Sequence, residues 1–424
     1  MKRKSLTAAL VVLLLCPFVA GNLIGDKTRV SASETPERGR KAGHDLRRRA
    51  ARAEAGERVS VVIQPRGDWS DELETALRAE GAGNARRFQN FPARVLELPA
   101  SAVANLEARA DVAYVSLNRE VRPLGHVSAT SGADAVRAAN GGTTGGLDGT
   151  GVGIAIIDSG IDATHRAFLD KSNNSRVVFS RDFTGENRAG DPYGHGTHVA
   201  STAAGNGRIS NGQFTGVAPN ANLIDLRVLN SQGTGSVASL LEALDWVLTN
   251  RVAYNIRVVN MSLGGPAVDS YRDDPVCRAV RRLVDAGVVI VAAAGNNGKD
   301  GEGRKVYGQV HSPGNEPSAL TVGAANSFGT DARGDDRVTS YSSRGPTRSF
   351  WTDADGVRHY DNLVKPDLVA PGNKLVFAQA TNNALVAANP SLDAGVSPVD
   401  ERKMMYLNGT SRAAPVAAGA AALV

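Results

Sequence analysis

The sequence predicts an α/β fold, a three-layer domain with a mostly parallel sheet between helices, preceded by a small α+β domain. Three observations predict it. Beyond residue 150, short apolar runs rich in β-branched residues (153–157, 256–259, 288–294) alternate with helical stretches such as Val237–Thr249. That is the rhythm of buried parallel strands joined by helices covering both faces. Two of these runs lead into a polar residue within two positions of a glycine, at Asp158 and Asn296, and the carboxyl edge of an open parallel sheet is where sites are built. Ahead of them, residues 56–122 alternate strand-like and helix-like segments on a shorter scale.

In chain order, Lys2-Arg3-Lys4 followed by the apolar stretch Leu6–Leu15 has the pattern of a signal peptide and is too short to span a bilayer. Small residues near Gly21 place its cleavage there, so residues 1–21 read as a signal peptide and the mature chain as exported, with no membrane segment. Leu13-Leu14-Leu15-Cys16 resembles a lipidation site, but Leu15 is too large beside the cysteine. Residues 22–55 are polar and Arg-rich with few large apolar groups, the composition of a flexible spacer. Arg58–Ile63 reads as a strand, Asp71–Glu80 as an amphipathic helix, Ala93–Leu98 as a strand, Ala100–Ala108 as a helix and Val112–Leu117 as a strand. This order has a ferredoxin-like rhythm. The two cysteines are Cys16 and Cys277, so a chain without Cys16 has no internal disulfide. Cys277 lies in an expected helix, Val276–Ala286, as a small buried hydrophobe.

The formal charge of +5 invites a nucleic-acid reading that its distribution excludes. Residues 1–21 contribute +3, residues 22–126 carry 18 basic and 15 acidic side chains, and residues 127–424 carry 27 basic against 28 acidic. The excess lies outside the large domain, which has no basic surplus with which to hold a polyanion.

The chemistry is concentrated in three segments. Asn408-Gly409-Thr410-Ser411-Arg412-Ala413-Ala414-Pro415 delivers a serine to the start of an alanine-rich helix, with the tight turn at Gly409. Pro415 is expected within the first turn, where its missing N–H goes unused. A serine hydroxyl needs a nearby base, itself oriented by a third group. Asp158 ends an apolar strand, and His195 lies in Tyr193-Gly194-His195-Gly196-Thr197-His198 ahead of a small-residue helix. Each segment also has a plainer reading. Asp158 alone is an ordinary turn former. His195 and His198 have the spacing of a metal pair, but without the glutamate of an HExxH site, so no metal-ligand set is read. Gly149-x-Gly151-x-Gly153 precedes its strand, whereas a dinucleotide loop follows one, so it reads as a turn.

The order Asp158, His195, Ser411, with these surrounding motifs, resembles that of subtilisin-like serine peptidases. Residues 127–424 then correspond to a subtilisin-like peptidase domain that ends within its apolar helix, as though incomplete. The resemblance implies that Asp158, His195 and Ser411 are catalytic and that Asn296, in Ala293-Ala294-Gly295-Asn296, is the oxyanion residue. It implies that Ser262, Leu263 and Gly264 form one substrate-binding edge and Gly233 and Gly235 the opposite one, with protein or peptide chains as substrates. Residues 56–122 resemble the propeptide inhibitor domain of such precursors, which would be the enzyme's own intramolecular inhibitor, with its tail near Asn118–His126. The chain departs from the family pattern in two places. Arg412 stands beside the serine where methionine is common, and His165-Arg166-Ala167-Phe168 lacks the aspartate that binds calcium. No cofactor is required for the chemistry, and a structural calcium has one usual ligand position unmatched. The expected function is a secreted serine endopeptidase made as a self-processing precursor. The alternative is a catalytically silent peptide-binding protein of the same fold.

Overall fold

The computed structural model describes residues 41–83, 85–89, 91–118, 127–138, 147–210 and 212–424, and the chain divides into two units, Met1–Val121 and Arg122–Val424. The expected signal peptide, residues 22–40 of the spacer and residues 119–126 of the inhibitor tail lie outside the described residues.

The first unit contains α1 (His44–Ala50), β1 (Arg58–Pro65), α2 (Asp71–Ala79), β2 (Arg86–Arg87), β3 (Arg94–Pro99), α3 (Ala102–Ala108) and β4 (Val112–Leu117). Its sheet has the order β2-β3-β1-β4 with every pairing antiparallel, the ferredoxin-like order expected from the segment rhythm. Alternate residues Val59, Val61 and Ile63 of β1 are buried with Leu73 and Leu77 of α2 and Val103 and Leu106 of α3, because successive strand side chains point to opposite faces. Ser70 caps α2 by accepting from Leu73 N at 3.2 Å.

The spacer expected over residues 22–55 is corrected at its C-terminal end. Gly43 N donates to Val115 O at 2.9 Å and Val115 N to Lys41 O at 2.7 Å, which adds a short backbone pairing to the free side of β4. Leu46, a large apolar residue amid arginines, is fully buried in the core of this unit. One such anchor is enough to dock α1, and regional composition hides it.

In the second unit the strands are β5 (Gly153–Asp158), β6 (Val177–Asp182), β7 (Asn222–Arg227), β8 (Ile256–Met261), β9 (Val289–Ala293), β10 (Leu320–Asn326), β11 (Arg337–Val338) and β12 (Leu368–Pro371). They form a sheet of order β11-β10-β9-β8-β5-β7-β6 with β12 beside β10, parallel everywhere except at β10–β11. The chain leaves β5 toward β7 and β6 and returns on the other side through β8, so the order reverses beside β5. A crevice opens at such a reversal, outside the carboxyl ends of the strands.

Helices α4 (His195–Ala204), α5 (Val237–Asn250), α6 (Pro275–Asp285) and α7 (Thr410–Leu423) cover the sheet. Ile154 and Ile156 of β5 pack with Val199, Ala200 and Ala203 of α4 and Ala413, Ala414 and Ala418 of α7. Ala155 and Ile157 face Leu240 and Leu244 of α5 and Val280 and Leu283 of α6. Thus β5 is buried on both faces, which is why its sequence is uniformly apolar. Cys277 is buried in α6, where burial pushes its thiol well above the usual range.

One core carboxyl makes stability pH-dependent. Asp225 of β7 is fully buried, and burial raises its pKa to about 7, with Ser180 Oγ donating to its Oδ2 at 2.6 Å. Its Oδ1 has no hydrogen-bond partner among the described residues. Between the ordinary value of 3.8 and about 7 the folded protein binds a proton here that the unfolded chain does not, so stability falls as pH rises through that window. Urea midpoints at pH 5 and pH 8, measured in a Ser411→Ala background, are expected to fall less in Asp225→Asn than in the parent. Equal falls in the two proteins would contradict a raised Asp225.

Candidate active site

Asp158 is the last residue of β5 and is fully buried. Its Oδ1 accepts from Ser159 N at 2.8 Å and from His195 Nδ1 at 2.6 Å. A carboxylate only accepts, so the imidazole proton sits on Nδ1 and Nε2 is left as an acceptor. Asp158 Oδ2 has no hydrogen-bond partner among the described residues.

His195 opens α4, and the turn before it is organised by Asp191. Asp191 Oδ1 accepts from Gly194 N at 2.7 Å and Ser159 Oγ at 2.8 Å, and its Oδ2 accepts from Thr197 N at 2.8 Å. Asp191 is buried, and that burial raises its carboxyl pKa against the pull of these bonds. A Cβ at position 196 would lie 2.2 Å from the Gly160 carbonyl oxygen. Only glycine there lets the first turn of α4 approach the end of β5 closely enough for the Asp158–His195 bond.

His198, three residues on, is fully buried; its Nε2 meets Leu375 O at 3.2 Å and its ring lies edge-on to Phe377. Burial pushes its pKa well below the usual value. The two histidines therefore take different partners and do not converge. At the expected calcium-ligand position stands Ala167, which is buried, and its neighbour Arg166 pairs with Glu401.

Ser411 is the second residue of α7, after Gly409 with φ of +138°. Pro415 is the sixth residue of this helix rather than part of its first turn, which corrects the sequence expectation. Its missing N–H leaves the Ser411 carbonyl, four residues back, without a helical donor. Ser262 Oγ fills that role at 2.9 Å and itself accepts from Asn260 Nδ2 at 2.9 Å. Ser262, expected as a substrate edge, thus also ties the serine turn to the strand-end segment after β8.

The Ser411 hydroxyl contacts Arg412 Nη2 at 3.5 Å, and no hydrogen bond joins it to His195 among the described residues. Asn296 Oδ1 accepts from Thr410 N at 2.9 Å and Thr410 Oγ1 at 3.1 Å. That orients the amide so that Nδ2 remains to donate into the cleft. A Cβ on Gly409 would lie 2.9 Å from Ser411 Oγ and 3.3 Å from Asn296 Nδ2, so hydroxyl and amide flank one small space that glycine keeps open.

His195, Ser411 and Asn296 line a cleft of about 900 Å³ together with both expected edges, Gly233 and Gly235 on one side and Ser262, Leu263 and Gly264 on the other. Sequence reasoning missed Asp191 and the hydroxyl of Thr410. Asp191 lies four residues before His195 and Thr410 next to Ser411, and that proximity to a candidate residue is the signal by which both could have been found.

The subtilase-family model, Peptidase_S8, matches residues 149–424. The chain is 34% identical over 351 residues to a serine protease, AprX, of Bacillus subtilis (strain 168), an overlap of 80% of this chain and 71% of that one. It is 32% identical over 372 residues to an alkaline protease of Alkalihalobacillus alcalophilus, covering 88% and 76%. With subtilisin E of Bacillus subtilis (strain 168) it shares 33% identity over 280 residues, covering 66% of this chain and 56% of that one.

Replacing Ser262 by alanine removes the donor to the Ser411 carbonyl, which Pro415 cannot replace. A buried acceptor left unpaired costs about 1–3 kcal/mol, so Ser262→Ala is expected to lower unfolding free energy by that amount and to reduce kcat. Unchanged stability with a raised KM alone would show that Ser262 serves only the substrate.

Proposed function

Because the chain belongs to the subtilase family and is a serine-type endopeptidase, we propose that it hydrolyses peptide bonds through Ser411, His195 and Asp158. The observation that carries this reading is the 2.6 Å bond between His195 Nδ1 and the buried Asp158 carboxylate, on the wall of the cleft that holds Ser411. That bond leaves Nε2 free to take a proton. Ser411 Oγ attacks the scissile carbonyl carbon as its proton passes to His195 Nε2, and the carbonyl π pair moves onto oxygen. Asn296 Nδ2 and the Ser411 backbone N–H receive that oxyanion. The C–N bond then breaks, the amine leaves with the proton from His195, and water repeats the sequence on the acyl-enzyme. The Ser411–His195 contact closes when substrate enters, since catalytic hydrogen bonds are often open in free enzymes. The steps call on side chains and backbone of this chain and on water, and the chemistry requires no cofactor.

An extended peptide fits this cleft by pairing its backbone with both edges. Residues 56–122 serve as the propeptide, and the precursor cuts itself between about Asn118 and Thr130, a window that contains the boundary between the two units at Val121–Arg122. Secretion follows from residues 1–21 as a signal peptide; no helix among the described residues is long and apolar enough to cross a membrane.

Purified Ser411→Ala is expected to remain whole and to leave casein intact, while the parent trims itself within that window, as mass spectrometry reads. Equal trimming of both proteins would point to another protease. Asn296→Ala is expected to lower kcat by about 10²–10³ with KM nearly unchanged. A change confined to KM would make Asn296 part of the substrate wall.

A further inference from the structure

Arg412 is the residue of this site that the reaction above does not use. Its side chain is fully buried directly after the nucleophile, although a guanidinium is among the groups least suited to burial without close partners. Its contacts are long: Nη2 lies 3.5 Å from Ser411 Oγ, Nη1 lies 3.5 Å from the His195 carbonyl oxygen, and Nε has no partner. Among the described residues it makes no ion pair within 4 Å. Its compensation acts through space, from the buried carboxylates of Asp158 first and Asp191 second, against a desolvation that pulls its pKa down to about 10. The Asp158 oxygen Oδ2 is likewise without a hydrogen-bond partner among the described residues. A buried cation beside the candidate triad and the triad's own buried anion, Asp158, are therefore each incompletely bonded and each sense the other.

Their placement has a polarity. Asp158 stands behind the base, in contact with His195, whereas the Arg412 guanidinium stands beside the nucleophile. When the proton leaves Ser411 Oγ for His195 Nε2 and the Oγ–C bond forms, positive charge appears on the imidazole and negative charge on the carbonyl oxygen beside Ser411. Each fixed charge sits on the side where the opposite charge develops, and in a dry interior such preorganised charges act with little screening. Resting on the reading of Ser411 as nucleophile, we propose that Arg412 is a positioning residue that holds the Ser411 hydroxyl and the His195 backbone in register and supports the charge separation of the acylation step. Methionine or another neutral side chain fills the same volume without that charge, leaving Asp158 and Asp191 without the cation they share.

The test compares parent, Arg412→Lys, Arg412→Gln and Arg412→Met on a chromogenic peptide amide, with kcat and KM separated and melting temperature recorded. The neutral variants are expected to lose about tenfold or more in kcat with KM within about threefold. Arg412→Lys, which keeps the charge, is expected to recover a clear part of that loss at a melting temperature no higher than theirs. The proposal is overturned if Arg412→Met keeps the parent's kcat, or if lysine is no better than glutamine. Should Arg412→Met not fold, lysine against glutamine at a temperature where both are folded decides. Ser411→Ala run in parallel separates the two ideas: if it still turns over the amide, the nucleophile itself is misplaced and the Arg412 proposal falls with it.

Discussion

The hydrogen bond from His195 Nδ1 to Asp158 Oδ1, 2.6 Å long, joins the start of a helix to the end of the central strand, and several other features of the site follow from it. For the bond to form, the first turn of α4 must press against the strand end, which the missing side chain of Gly196 permits at the Gly160 carbonyl. The turn leading to that helix must be held from inside the protein, and Asp191 does so by accepting from Gly194 N, Thr197 N and the Ser159 hydroxyl. Strand β5 must end at a place open to substrate, which the reversal of strand order beside it provides. Packing of Ile154 and Ile156 on one face and Ala155 and Ile157 on the other then fixes the strand, so the carboxylate that orients the imidazole has little freedom to move.

A second constraint comes from Pro415. Placed six residues into α7, it removes the donor that the Ser411 carbonyl would have had, and Ser262 Oγ supplies it from across the cleft floor. Through that bond the proposed nucleophile and one wall of the cleft share a support. Asn296 is tied to the same turn by Thr410. Ser411, Asn296 and Ser262 thus belong to one hydrogen-bonded assembly whose parts come from three different strand ends or helix starts.

Much of this was legible in the sequence because it rests on local patterns. The apolar runs gave the parallel strands to within a few residues, the alternation over residues 56–122 gave the small antiparallel sheet, and the order Asp158, His195, Ser411 singled out residues that do line or flank one cleft. The parts that stayed hidden depend on contacts between distant segments. Leu46 docks α1 within a stretch whose composition reads as a spacer, because one buried side chain does not alter a regional average. Asp191 lies close to His195 in the sequence, but its burial stays hidden there, since its donors are two backbone N–H groups of the turn it shapes and the Ser159 hydroxyl from another segment. Ser262 reads as an edge residue, and its tie to Ser411 exists only once strand β8 and helix α7 are brought together. Arg412 was visible as a departure from the family pattern, but its complete burial was not, because an arginine in an alanine-rich helix ordinarily reaches for solvent.

The central claim is that Ser411 is the nucleophile, activated by the Asp158–His195 pair. Its most direct measurement is reaction of the full-length protein with a fluorophosphonate probe, followed by peptide mass mapping, alongside His195→Ala. The account predicts a single modified residue, Ser411, with labelling strongly slowed when His195 is replaced. Modification at a different serine, or labelling of Ser411 at an undiminished rate without His195, would contradict it.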